Sequence, residues 1–91
     1  YSLPRNEQGT RDTGFFESLV LSILDNGMLI VIHTRPGTAS TVAKFIDEHG
    51  FDEVLGSVAG DDTIMIGPSD PGRTRQTAEK IKQFLKGLRI F

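Results

Sequence analysis

The sequence contains no cysteine. That excludes disulfides and thiolate metal sites, and it suits a reducing compartment. There is no basic excess either. Ten Lys and Arg stand against twelve Asp and Glu, for a formal net charge of −2. A segment that binds nucleic acid by itself normally carries a basic surplus, so this one is not expected to do so alone. Long hydrophobic runs are missing. The longest aliphatic stretch is Met28–Ile32, far short of the ~20 residues a membrane helix needs, so no membrane partner is expected. No signal-peptide pattern opens the chain. Histidine is scarce: His33 and His49 are the two, and neither sits in a ligand-spaced motif. The turns Pro36-Gly37-Thr38 and Gly67-Pro68-Ser69 lack the glycine spacing and the lysine of a phosphate cradle. No nucleophile with a base at hand emerges, so no catalytic residue, no metal site and no enzymatic activity are expected.

What remains is a chain of 91 residues, 37% hydrophobic and 24% charged. That composition fits one small globular domain. A chain of this length buries on the order of 60% of the surface its unfolded form exposes. Residues 1–14, YSLPRNEQGTRDTG, are polar, carry Pro4, Gly9 and Gly14, and show no periodicity. They read as a linker or a disordered N-terminal segment, with the domain proper at 15–91.

Along the domain, 16–24 (FESLVLSIL) and 28–34 (MLIVIHT) read as two strands. Between them lies Asn26-Gly27, a strong signal for a two-residue hairpin turn. Pro36-Gly37-Thr38 then breaks the chain, with Thr38 a candidate N-cap. Ala39, Val42, Ala43 and Ile46 recur at helical spacing, and Gly50 ends the helix. Residues 54–59 and 62–67 read as a second pair of strands around a tight turn at Gly60-Asp61. Asp70 and Pro71 open a second helix, which carries Ala78, Ile81 and Leu85 as a stripe with Phe84 beside it and ends at Gly87. Six of the ten basic residues lie in this region: Arg73, Arg75, Lys80, Lys82, Lys86 and Arg89. In a net-acidic domain they read as a solvated helix face.

The expected fold class is α+β: a four-stranded, mainly antiparallel sheet with two helices on one face, in the order ββαββα. These strands do not alternate apolar with polar. Leu19, Val20 and Leu21 are consecutive, as are Leu29–Ile32 and Ile64–Ile66. Successive strand residues point to opposite faces, so both faces carry apolar groups. Two short helices cover one face. The other is expected to be buried against further copies of the chain.

Asp61 and Asp62 stand out at the start of a strand. Adjacent carboxylates suit a solvated bend. They also offer enough acceptor sites for a guanidinium fork or an ammonium group. A cation held by this pair and carbonyls alone has no second acid-rich stretch to complete it.

HTRPGTAS (33–40), followed by a helix and then LGSVAGDDTIMI (55–66), resembles the C-terminal domain of the bacterial arginine repressor. The resemblance covers roughly residues 15–86, and the leading YSLP resembles the linker that follows the family's DNA-binding domain. It implies a ββαββα unit that forms trimers, two of which stack into a hexamer. It implies L-arginine as corepressor at the trimer–trimer interface, with no further cofactor. It also implies a cytoplasmic regulator of arginine metabolism genes, including arginine biosynthesis. Operator DNA would be a partner only through a winged helix-turn-helix domain, which these 91 residues lack. The ligand-contacting positions it implies are Asp61, Asp62, Ala39, Ser40, Asp47 and Ser57. Two depart from the common pattern: Ser40 stands where Gln is usual, and Ser57 where Thr is usual. A different amino-acid-sensing domain and a pure oligomerisation module are the alternative readings.

Overall fold

In a computed structural model, residues 15–86 are described. The linker expected at 1–14 and the helix stop expected at Gly87 lie outside them. Strands β1 (Val20–Asp25), β2 (Ile30–Thr34), β3 (Val54–Ala59) and β4 (Thr63–Pro68) form one sheet in the order β1-β2-β4-β3. Every pairing is antiparallel. Residues 15–19 are helical (α1), α2 spans Ala39–His49, and α3 spans Thr74–Leu85 after a short 3₁₀ turn at Pro71–Arg73. The α+β class and the ββαββα order hold, with the helical turn α1 added in front.

That turn corrects the expectation of a strand from Phe16. Phe16 stacks on Phe45 of α2 with ring centroids 4.0 Å apart, and Phe45 stacks on Phe84 of α3 at 5.0 Å. A tertiary contact thus outweighs the local strand preference of aromatic residues. The first hairpin also differs. Asp25 pairs with Ile30, which leaves a four-residue loop rather than a two-residue one. The Asn26 side-chain oxygen accepts hydrogen bonds from the Met28 and Leu29 amides at 2.9 and 2.8 Å. This local bonding competes with continued strand pairing and widens the turn.

The interior follows from register. Ile23, Ile32, Ile64 and Ala59 are successive cross-strand partners on the helix-covered face. Ile30, Ile32, Ile64 and Ile66 are fully buried there against Val42, Ala43 and Ile46 of α2 and Ala78, Ile81 and Leu85 of α3. The α2 stripe recurs at three- and four-residue intervals, so one helix face meets the sheet. Gly50 closes α2 in the left-handed conformation, φ 77°, donating to the Asp47 carbonyl. Such a cap is open to glycine at no steric cost. Thr38 occupies the N-cap position without a side-chain cap bond, because its hydroxyl donates to the Arg35 carbonyl at 2.7 Å.

Asp70 accepts from the Gly72 amide at 2.9 Å and starts the 3₁₀ turn from which α3 continues. Four of the basic residues around α3 are matched to acids. Arg73 faces Asp70, Arg75 faces Asp25, Lys80 bonds Glu53 and Lys82 faces Glu79. This pairing supports a solvated face over a nucleic-acid patch. The Lys80 ammonium, hydrogen-bonded to the Glu53 carboxylate, holds that carboxyl below its usual range. The small benefit is present above the ordinary carboxylate range and is lost as pH falls through the lowered value.

The other face of the sheet is uncovered by helices. Leu24, Val31, Met65 and Val58 are cross-strand partners and form one apolar row across all four strands. Leu24 is 56% exposed, Met65 47% and Val58 72%. No helix among the described residues is long and apolar enough to cross a membrane.

Ile64 lies on a central strand and is fully buried, so Ile64→Ala should remove about 2–5 kcal/mol of stability. Urea denaturation followed by far-UV circular dichroism measures this. A loss under about 1 kcal/mol would place Ile64 outside the core.

Candidate functional site

The second hairpin turns at Asp61 and Asp62, between Ala59 at the end of β3 and Thr63 at the start of β4. The Gly60 amide donates to the Thr63 carbonyl at 2.8 Å and closes the turn. Both acids are therefore turn residues, whereas the sequence pattern placed Asp62 inside the strand. Both are exposed. Thr63 donates its hydroxyl to Asp62 Oδ1 at 3.1 Å. Among the described residues, neither carboxylate forms a salt bridge. The pair keeps most of its acceptor capacity.

The backbone of this turn is held firmly. The Asp61 carbonyl accepts from the Gly37 amide at 3.1 Å and the Ala39 amide at 3.2 Å. The Asp62 carbonyl accepts from the Thr34 amide at 2.8 Å. The hairpin tip is thus bound to the β2–α2 connection. That connection is shaped by Pro36 and Gly37. Thr38 donates to the Arg35 carbonyl at 3.2 Å across Pro36-Gly37, and Gly37 has φ 80°. Proline followed by a positive-φ glycine is the signature of a type II turn. It aims the Gly37 amide and the first amide of α2 at one oxygen.

The six expected positions separate into two neighbouring groups. Asp61, Asp62, Ala39 and Ser40 gather at the hairpin tip and the start of α2. Ala39 is fully buried and its amide is committed to Asp61, so it contributes backbone and packing. Ser40 is exposed beside it. Asp47 and Ser57 form the second group, joined by a hydrogen bond from the Ser57 hydroxyl to Asp47 Oδ1 at 3.2 Å. Ser40 and Asp47 are seven residues apart on α2, two turns along the same face, with roughly 10 Å of helix between them. Thr34 and Gly37 support the turn through their amides but have no side-chain chemistry that the sequence would single out. The Pro-Gly dipeptide was their one readable signal.

The larger clefts of the chain lie elsewhere. One of about 540 Å³ runs between His49, Phe51, Lys80 and Phe84, and another of about 440 Å³ lies between Asn26, Gly27, Pro71 and Arg75. Neither includes Asp61 or Asp62. His49 packs against the rings of Phe51 and Phe84 at 4.4 and 4.2 Å, a structural setting, and His33 stands exposed on β2. No three His, Asp or Glu side chains gather into a metal set among the described residues.

A family model described as arginine repressor, C-terminal domain, matches residues 16–83. The chain belongs to that family. It is 47% identical over 70 residues to the arginine repressor of Thermotoga petrophila, covering 77% of this chain and 46% of that protein. It is 44% identical over 85 residues to the arginine repressor of Chlamydia caviae, covering 93% and 55%. The arginine repressor of Anaeromyxobacter is 36% identical over 85 residues, covering 93% and 54%. The chain spans about half the length of the curated relatives it matches. Those relatives are named as repressors, a regulatory class rather than an enzymatic one. Near α2 the fold places the exposed Asp61-Asp62 turn and the bond between exposed Asp47 and half-buried Ser57.

Gly37→Ala should distort the clamp, because a side chain at φ 80° is strained whatever space surrounds it. A loss of roughly 1–2 kcal/mol is expected in urea unfolding. Unchanged stability would show that the turn has another conformation open to it.

Proposed function

We propose that this chain is the arginine-binding and oligomerising domain of a cytoplasmic transcriptional repressor of arginine metabolism genes, including those of arginine biosynthesis. Its assembly is a trimer that pairs into a hexamer. L-arginine is the corepressor at the junction between trimers. Operator DNA is reached through a winged helix-turn-helix domain outside these residues.

The observation that carries the reading is the exposed carboxylate pair on a rigidly clamped turn. Two carboxylates match the planar donor fork of a guanidinium and the three donors of an α-ammonium. The backbone bonds from Thr34, Gly37 and Ala39 hold the turn in place, so little ordering remains to oppose binding. Yet a convex hairpin tip encloses nothing by itself, and small-ligand sites bury most of their ligand. A second chain must close the site. The uncovered row of Leu24, Val31, Met65 and Val58 gives the chain an independent reason to associate.

These two features explain a corepressor. Carboxylate turns brought together by assembly repel one another. A cationic ligand between them removes that repulsion, so binding and assembly favour each other. Ligand that binds only the assembled form stabilises it by mass action.

L-arginine titrated by calorimetry, with mass followed by light scattering at low protein concentration, tests the reading. Arginine should bind and shift trimers towards hexamers. Asp61→Asn and Asp62→Asn should each weaken binding by about 2–5 kcal/mol while trimers persist. Full affinity in both variants would falsify the assignment. Lysine, ornithine or citrulline binding better would favour another amino-acid sensor. Assembly with no response to any amino acid would leave an oligomerisation module. Separately, Met65→Lys should reduce the assembly towards monomers in sedimentation, by setting a charge in the middle of the uncovered apolar row. Retention of the native mass would place the interface elsewhere.

A further inference from the structure

The Asp61-Asp62 turn connects to more than the start of α2. Residue 35 lies at the centre of the connection that the turn clamps. On its N-terminal side, the Thr34 amide donates to the Asp62 carbonyl. On its C-terminal side, the Gly37 and Ala39 amides donate to the Asp61 carbonyl. Arg35 itself reaches away from the turn. Its amide donates to the Leu19 carbonyl at 2.9 Å, and its side-chain Nε donates to the Ser18 carbonyl at 3.0 Å.

Ser18 and Leu19 are the last residues of α1, the helical turn that leads into β1. Carbonyls at the end of a helix lack intrahelical partners and carry partial negative charge. A guanidinium donor there makes a charge-assisted bond, stronger than a neutral one. The other contacts of α1 are apolar, the stack of Phe16 on Phe45 and the packing of Leu19 against the core. The stack fixes where α1 lies, while Arg35 restrains the end from which β1 departs.

We infer that Arg35 is a positioning residue, coupling occupation of the Asp61-Asp62 turn to the helical turn at 15–19. The inference rests on the proposed arginine site and adds a direction in which its occupation is transmitted. A ligand that quiets the turn also quiets the 34–39 connection through three backbone bonds. The Arg35 side chain extends that effect to α1, through which the polar segment 1–14 enters the domain. No part of this requires Arg35 to touch the ligand.

Hydrogen exchange with mass-spectrometric readout, on the protein with and without saturating L-arginine, tests the coupling. In the unaltered chain, arginine should slow exchange by about fivefold or more in peptides covering 34–39 and also in those covering 15–20. In Arg35→Ala the first effect should persist and the second fall clearly below its value in the unaltered chain, the main-chain bond to the Leu19 carbonyl being kept. In Arg35→Lys, which keeps the charge and a donor, the second should return in part. Arginine affinity of Arg35→Ala should stay within about twofold, since coupling of this kind sits apart from the contacts to the ligand. Protection at 34–39 without any at 15–20 in the unaltered chain would overturn the inference and leave the arginine site standing. Equal protection at 15–20 in Arg35→Ala would overturn it too. No calorimetric heat and no protection anywhere would overturn the site and the inference together.

Discussion

Three backbone hydrogen bonds to the carbonyls of Asp61 and Asp62 tie the two ββα halves of this domain to each other. They join the tip of the β3–β4 hairpin to the connection between β2 and α2. The β2–β4 pairing brings the two halves into one sheet, but this clamp decides where the sheet's polar end points. Because the carbonyls are engaged inward, the carboxylates of the same residues face outward. The structural and the chemical roles of the turn thus use different atoms of the same two residues. Loss of the carboxylate charge leaves the clamp in place, whereas a change in the backbone of Gly37 disturbs both.

The sheet has one face covered by helices and one not. On the covered face, four fully buried isoleucines and the stripes of α2 and α3 supply the core. On the other, an apolar row crosses all four strands and remains exposed in a single chain. In the proposed reading, burial of that row and closure of a site over the carboxylate turn have the same requirement, a second copy. Ligand is then measured through the stability of the assembly, so affinity and oligomeric state are, in that reading, two expressions of one free energy.

Much of the fold was legible because local chemistry and tertiary packing agreed. Gly50 closes α2 where a glycine after an apolar stripe should, and Asp70-Pro71 opens the segment leading to α3. The departures have physical causes at named residues. Phe15 and Phe16 favour a strand locally. Phe16 became helical because its ring meets Phe45, which lies about thirty residues away in sequence. The Asn-Gly signal marked a turn, but the Asn26 side chain captured two amides and lengthened it. At the candidate site, the acid pair and the Pro-Gly turn were visible as chemistry. The bond between Ser57 and Asp47 was not, since nothing local to either residue announces a partner on another element.

The sequence by itself determined the strands and helices, the two-sided apolar character of the sheet and the carboxylate pair at a bend. These follow from short-range preferences and from the periodicity of side-chain direction, both carried by adjacent residues. Tertiary structure decided which atoms of that bend are spent on the fold and which remain exposed. It buried Ala39, left Ser40 exposed, and set Arg35 between the turn and the carbonyls of residues 18 and 19. Those outcomes depend on hydrogen bonds between distant segments, whose partners are chosen only once the sheet has brought them within about 3 Å of each other.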